Sequence, residues 1–144
     1  MACLYESDVP AEALDRSREV DIFGARYVRY GDMKFYLPID VEDEEAYVSG
    51  GVWPNKTVRV AFADDLAPNR RQNIKDACGA WTNATGIHFT EEAVSNEFAY
   101  FQASDANNAP VGYHPGRNAV VEIASWGDLA RIAHEVGHVL GLQH

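Results

Sequence analysis

Residues 133–144 read AHEVGHVLGLQH, and several of their side chains can do chemistry together. His134 and His138 are four residues apart. On an α-helix that spacing is about 400° of rotation and roughly 6 Å of rise, so both imidazoles leave one face. Two such rings can share a zinc ion through Zn–N bonds of about 2.0–2.1 Å. Glu135 stands about 100° round the helix from His134. It is badly placed as a ligand and well placed to take a proton from a water at the metal. His144 is the candidate third ligand. In a continuous helix it would lie about 240° away from His138, so the helix must break between them. Gly141 stands in that interval, and glycine enters the left-handed conformation at little cost. A turn at Gly141 can bring His144 back. Three nitrogens around one Zn2+ leave a fourth position for water, which marks a catalytic rather than a structural site.

The reaction that fits is hydrolysis of a peptide bond, with a protein or peptide as substrate. Zinc lowers the pKa of water toward ~7 and polarises a carbonyl. Glu135 acts as general base and then passes the proton to the departing amine. The alternative is a chain that holds zinc but is catalytically silent or latent and serves as a binding module. Glu135 speaks against a purely structural zinc, which needs no base. The remaining histidines receive no chemical role: His88 reads as a structural residue on a strand, and His114 as a surface residue. Trp126 is expected to pack on the core.

These side chains work only if the surrounding elements position them. From about Asp128 to Leu140 the sequence reads as a helix with Leu129, Ile132, Ala133, Val136 and Leu140 on one apolar face. A second helix should start at Pro68, carry Ile74, Ala77, Cys78 and Trp81 as its stripe, and stop at Gly86. TVRVAF (57–62), GIHFTEE (86–92), FAYFQAS (98–104) and NAVVEIAS (118–125) read as strands. The stretch DANNAPVGYHPGR between the last two is too rich in Pro, Gly and Asn for a central strand. Upstream, ARYVRYGDMKFYLP (25–38) reads as two strands around a Gly31-Asp32 turn. Residues 9–19 read as a short helix or an ordered arm. The acidic run DVEDEEAYVSGG (40–51) reads as an exposed linker. It divides the chain into an N-terminal segment, 1–50, and a subdomain, 51–144. The order predicts an α+β fold, a twisted mixed sheet with two helices on one side, the second bearing the zinc site.

Composition narrows the partners. The formal charge of −10 over 144 residues argues against nucleic acid and anionic membrane surfaces. Residues 1–50 carry 12 acidic and 5 basic side chains, so the negative charge is concentrated there. No apolar run is long enough for a membrane span, and MACLYESDVP does not read as a signal peptide. Two cysteines, Cys3 and Cys78, allow at most one disulfide. Cys78 sits at a core spacing and is expected as a buried thiol. Asn55-Lys56-Thr57 and Asn83-Ala84-Thr85 match glycosylation sequons.

The extended pattern H-E-x-x-H-x-x-G-x-x-H resembles that of the metzincin zinc metallopeptidases, and within them the astacin family. Trp53-Pro54-Asn55 before TVRVAF, and Gly86-Ile87-His88-Phe89 after the first helix, match the family's entry into its first strand and its I-x-F strand. The resemblance covers about residues 52–144. It implies the N-terminal subdomain of a zincin-like endopeptidase with one zinc, held by His134, His138 and His144, and Glu135 as base. It also implies a secreted protein and an edge strand near Ala109-Pro110-Val111-Gly112 that aligns substrate by strand addition. The chain departs from the family at Gly86, where a cysteine is usual. The family's following Glu, methionine turn and zinc-facing tyrosine would all fall after His144, so a longer enzyme is expected, cut here at its third histidine. Astacins are made as precursors whose prosegments carry F-x-G-D, the aspartate taking zinc's open position. Arg29-Tyr30-Gly31-Asp32 matches the Gly-Asp and not the Phe. Two readings of Asp32 stay open. It is an inhibitory zinc ligand in a propeptide-like segment 1–50, with Zn–O near ~2.0–2.2 Å, or it is only a turn residue. Cys3 is the alternative thiolate cap.

Overall fold

Apolar residues at alternate positions of three strands meet the apolar stripes of two helices, and this seam is the core. The computed structural model describes residues 19–20, 26–36 and 50–143. Strands β1 (Glu19–Val20), β2 (Arg26–Tyr30) and β3 (Met33–Tyr36) come first. Strand β4 (Thr57–Phe62), helix α1 (Pro68–Thr85), β5 (His88–Glu91) and β6 (Ala99–Ser104) follow. The two-residue β7 (Ala109–Pro110), β8 (Ala119–Ala124) and α2 (Leu129–Val139) complete the order.

The first sheet has the order β5-β4-β6-β8, with every neighbouring pair parallel. Parallel neighbours need long crossovers, and α1 supplies the one from β4 to β5. Val58 and Val60 of β4, Ala99 and Phe101 of β6, and Val121 and Ile123 of β8 alternate onto one face. Ile74, Ala77 and Cys78 of α1 and Ile132, Val136 and Val139 of α2 pack on that same set. Both helices therefore cover one side of the sheet, as the periodicity predicts. The helices also touch each other closely. Trp81 donates its indole N–H to Ala133 O at 2.8 Å, and a Cβ built on Gly137 would meet the Trp81 ring at 3.0 Å.

The second sheet has the order β1-β2-β3-β7. Strands β1, β2 and β3 pair antiparallel, whereas β3 and β7 pair parallel. Asn108 and Glu122 form an antiparallel bridge that ties this sheet to β8, with N–H to O distances of 3.0 and 2.9 Å. The α+β expectation holds in two sheets: the one under the helices is all parallel, and mixed directions occur in the second, where β3 pairs antiparallel with β2 and parallel with β7. The hairpin expected around Gly31-Asp32 is β2–β3, and Gly31 sits in its turn at φ 63°.

Three placements differ from expectation. His114 is buried, 6% exposed, because its Nε2 lies 3.0 Å from Val111 O and its ring packs on Tyr36. Trp126 is 58% exposed and stacks with the Arg131 guanidinium rather than the core. Leu129, at the first turn of α2, is also exposed, since the helix meets the core only from Ile132 onward. His88 lies on β5 as expected, with its side chain in solvent. Cys78 is a free, buried thiol, and burial pushes it up to about 12. Cys3, residues 9–18, most of the acidic linker and His144 lie outside the described residues.

Candidate metal centre

Helix α2 delivers the histidine pair. Asp128 caps its N-terminus, the carboxylate accepting from Arg131 N at 2.9 Å. Trp53 donates its indole N–H to Val139 O at 2.7 Å, and Gly112 N donates to His138 O at 2.8 Å. These bonds fix the C-terminal half of the helix against the start of the subdomain and the end of the edge strand. After Leu140 the chain turns at Gly141, whose φ of 110° is reached freely only by glycine. The turn brings Leu142 O within 2.6 Å of His138 Nδ1. Nδ1–H donates to that carbonyl, so in the neutral ring the lone pair lies on Nε2.

The four-residue spacing does what the helix geometry requires. His134 Nε2 and His138 Nε2 are 3.0 Å apart, with the rings edge to face. The third group at this point comes from the other end of the chain. Asp32, at the tip of the β2–β3 hairpin, places Oδ2 2.9 Å from His134 Nε2 and 3.1 Å from His138 Nε2. These three donor atoms lie within 4.8 Å of one another. Donors of a tetrahedral zinc stand about 3.3 Å apart for bonds of about 2.0–2.1 Å. The donor chemistry and spacing thus fit a divalent cation. Two imidazole nitrogens and a carboxylate oxygen converge on one point, a donor set that suits a divalent cation.

Glu135 lies beside this group and is only 3% exposed. Its Oε1 is buried and has no hydrogen-bond partner among the described residues. Burial and then the neighbouring Asp32 carboxyl push Glu135 up to about 9, while the charge of Lys34 works in the opposite direction. A cleft of about 410 Å³ opens beside it, bordered by Asp32, Trp126, Arg131, His134 and Glu135.

The hairpin also occupies the edge strand. Ala109 N donates to Asp32 O at 2.8 Å and Val111 N donates to Lys34 O at 3.1 Å. Met33, Lys34, Phe35 and Tyr36 are all buried. Of the residues singled out in the sequence, His134, Glu135, His138 and Asp32 are brought together, and Gly141 makes the turn beneath them. Sequence reasoning passed over Lys34 and Glu122, which form a buried ion pair in the same region at 3.4 Å. The signal was present in β8, AVVEIA, where one carboxylate interrupts an otherwise apolar strand.

A sequence profile of the Astacin family of peptidases matches residues 46–144. The chain is 28% identical over 96 residues to Nematocyst expressed protein 6 of Nematostella vectensis, an alignment covering 65% of this chain and 33% of that protein. It is 26% identical over 98 residues to Flavastacin of Elizabethkingia meningoseptica, covering 64% and 22%. Among solved structures, high choriolytic enzyme 1, a hatching enzyme zinc-protease from Oryzias latipes (medaka fish), superposes with a TM-score of 0.57 at 20% identity, over 67% of this chain and 50% of that one. A crystal structure of myroilysin superposes with a TM-score of 0.53 at 19% identity, over 98% and 60%. The chain spans a third or less of the length of these curated relatives and half to three fifths of the solved chains. The structural neighbours share its fold, and the profile match covers more than half of its length. The chain belongs to the astacin family.

Proposed function

We propose that this chain is a latent part of a zinc-dependent endopeptidase. His134 and His138 hold one zinc, and His144 completes the protein's ligand set once the N-terminal segment has left. Glu135 is the general base. The observation that carries the reading is the meeting of Asp32 Oδ2 with both Nε2 atoms, at 2.9 and 3.1 Å, beside a buried Glu135. Zinc bound there supplies a water of lowered pKa and a Lewis acid for the scissile carbonyl.

The residues of the chain do the rest. Glu135, with no competing hydrogen bond on Oε1, takes a proton from the attacking water and passes it to the leaving amine. His138 is oriented by its Nδ1–H bond to Leu142 O. The free N–H groups of Ala109 and Val111 align an extended substrate backbone after Asp32 and Lys34 release them. Asp32 in the hairpin holds the position that water needs, and it adds to the burial that already raises Glu135. Residues 1–50 are thereby propeptide-like. The substrates are proteins or peptides. A secreted setting follows from the family resemblance. No helix among the described residues is long and apolar enough to cross a membrane.

The second reading, a silent zinc-holding module, is favoured by the filled edge strand. Hydrolysis of a quenched fluorescent peptide by the full-length chain, with and without Asp32→Ala, separates the two. Latency predicts turnover that rises at least tenfold in the variant and disappears on adding a chelator. No turnover in either form, with zinc bound in both, would favour the silent module.

A further inference from the structure

Lys34 is wholly buried two residues beyond Asp32, and a buried ammonium is costly unless the site is built for it. Its Nζ donates to Val120 O at 2.9 Å and lies 3.4 Å from Glu122 Oε2. Glu122 is the single charged residue of β8, and Ser104 Oγ holds its other oxygen at 3.4 Å. Val120 offers both backbone groups to the hairpin, since its N–H donates to Tyr36 Oη at 3.2 Å. The carboxylate and the carbonyl both belong to β8 of the catalytic subdomain, whereas the lysine belongs to the segment lying in the cleft.

We propose that Glu122 and Val120 O form a substrate subsite for a cationic side chain, lysine or arginine, which Lys34 fills in the latent chain. The inference rests on the peptidase reading of the same cleft. Residues 32–34 run along the edge strand from the histidine pair, through the Ala109–Asp32 and Val111–Lys34 bonds. A residue two positions along an extended chain is about 6.6–6.8 Å away. The acidic pocket is therefore within reach of a side chain next to or near the scissile bond of any peptide laid on that edge. Glu122 is only 22% exposed with the lysine in place, and removal of the segment takes its ammonium partner away. A basic substrate residue restores the pair, whereas an acidic one meets like charge.

Two zinc-directed peptide hydroxamates, identical except for lysine or norleucine at the pocket position, test this by calorimetry. The protein is the zinc-loaded full-length chain carrying Asp32→Ala and Lys34→Ala, which remove both side-chain anchors and leave only the backbone bonds to Ala109 and Val111 for the compound to displace. Lys34→Met replaces Lys34→Ala if melting curves show that the shorter side chain unfolds the chain. The lysine compound is expected to bind about tenfold tighter or more, and Glu122→Gln in the same background should erase the preference. Equal binding, a preference that survives Glu122→Gln, or failure of both compounds to bind overturns the subsite. Preferential binding without cleavage of any peptide would leave the subsite standing and remove the peptidase reading. Cleavage with no preference for basic residues would do the reverse.

Discussion

At the scale of single residues, two buried groups carry protonation states set by their surroundings. Glu135 is pushed up to about 9 from an ordinary 4.5. Between these values the folded, zinc-free chain holds a proton that the unfolded chain has released. Stability therefore falls as pH rises through that window. Urea melts across it should show this slope, and Glu135→Gln should flatten it; an unchanged slope would mean that Glu135 is ordinary. Under the proposed hydrolysis, the same substitution in the Asp32→Ala chain should lower peptide turnover by about 10²–10⁴-fold while leaving zinc content intact. His114 behaves in the opposite sense. Burial pushes it down to about 4 from 6.5, so the unfolded chain takes up a proton that the folded chain refuses. Its contribution is lost as pH falls through that interval. His114→Gln, compared in the Glu135→Gln background where the overlapping window is silent, should remove this acid sensitivity.

At the scale of elements, the site depends on how α2 is held. Gly137 faces the Trp81 ring, and an added Cβ would stand 3.0 Å from it. Gly137→Ala should cost about 1–3 kcal/mol in a denaturant titration, with a weaker Trp81 anchor on Ala133 O. Gly141→Ala meets no steric neighbour but must adopt φ 110°, so a cost of about 1–3 kcal/mol is expected, together with reduced zinc affinity through the Leu142–His138 bond. The helices and the strands of the parallel sheet were legible because periodicity and capping act locally: Pro68 opens α1, Gly86 follows it, and Asp128 caps α2. The histidine pair was legible for the same reason. What the sequence hid is long-range. Asp32 reaches His138 across 106 positions, and no local pattern separates a turn aspartate from one aimed at a metal. The structure has it in a tight turn and against the two rings. His114 and Trp126 were misplaced because a turn-rich stretch can be buried under a neighbouring strand, and an aromatic beside a helix start can line a cleft.

At the scale of the whole molecule, the N-terminal hairpin and residues 50–143 form one interlocked structure. Strand β3 completes the edge at β7, Asp32 meets the histidines, and Lys34 enters the acidic pocket. Release of the segment must break all three connections together. Zinc should stabilise this state, by about 2.7 kcal/mol at 100 times Kd, and His138→Ala should abolish the gain in a thermal melt.

The most direct measurement is the anomalous diffraction and refined coordination of zinc in crystals of the zinc-loaded chain. A single ion bonded to His134 Nε2 and His138 Nε2 at about 2.0–2.1 Å, with an Asp32 oxygen at about 2.0–2.2 Å, is the predicted result. An ion bound elsewhere, or one on the two histidines with the Asp32 carboxylate turned away, would contradict it.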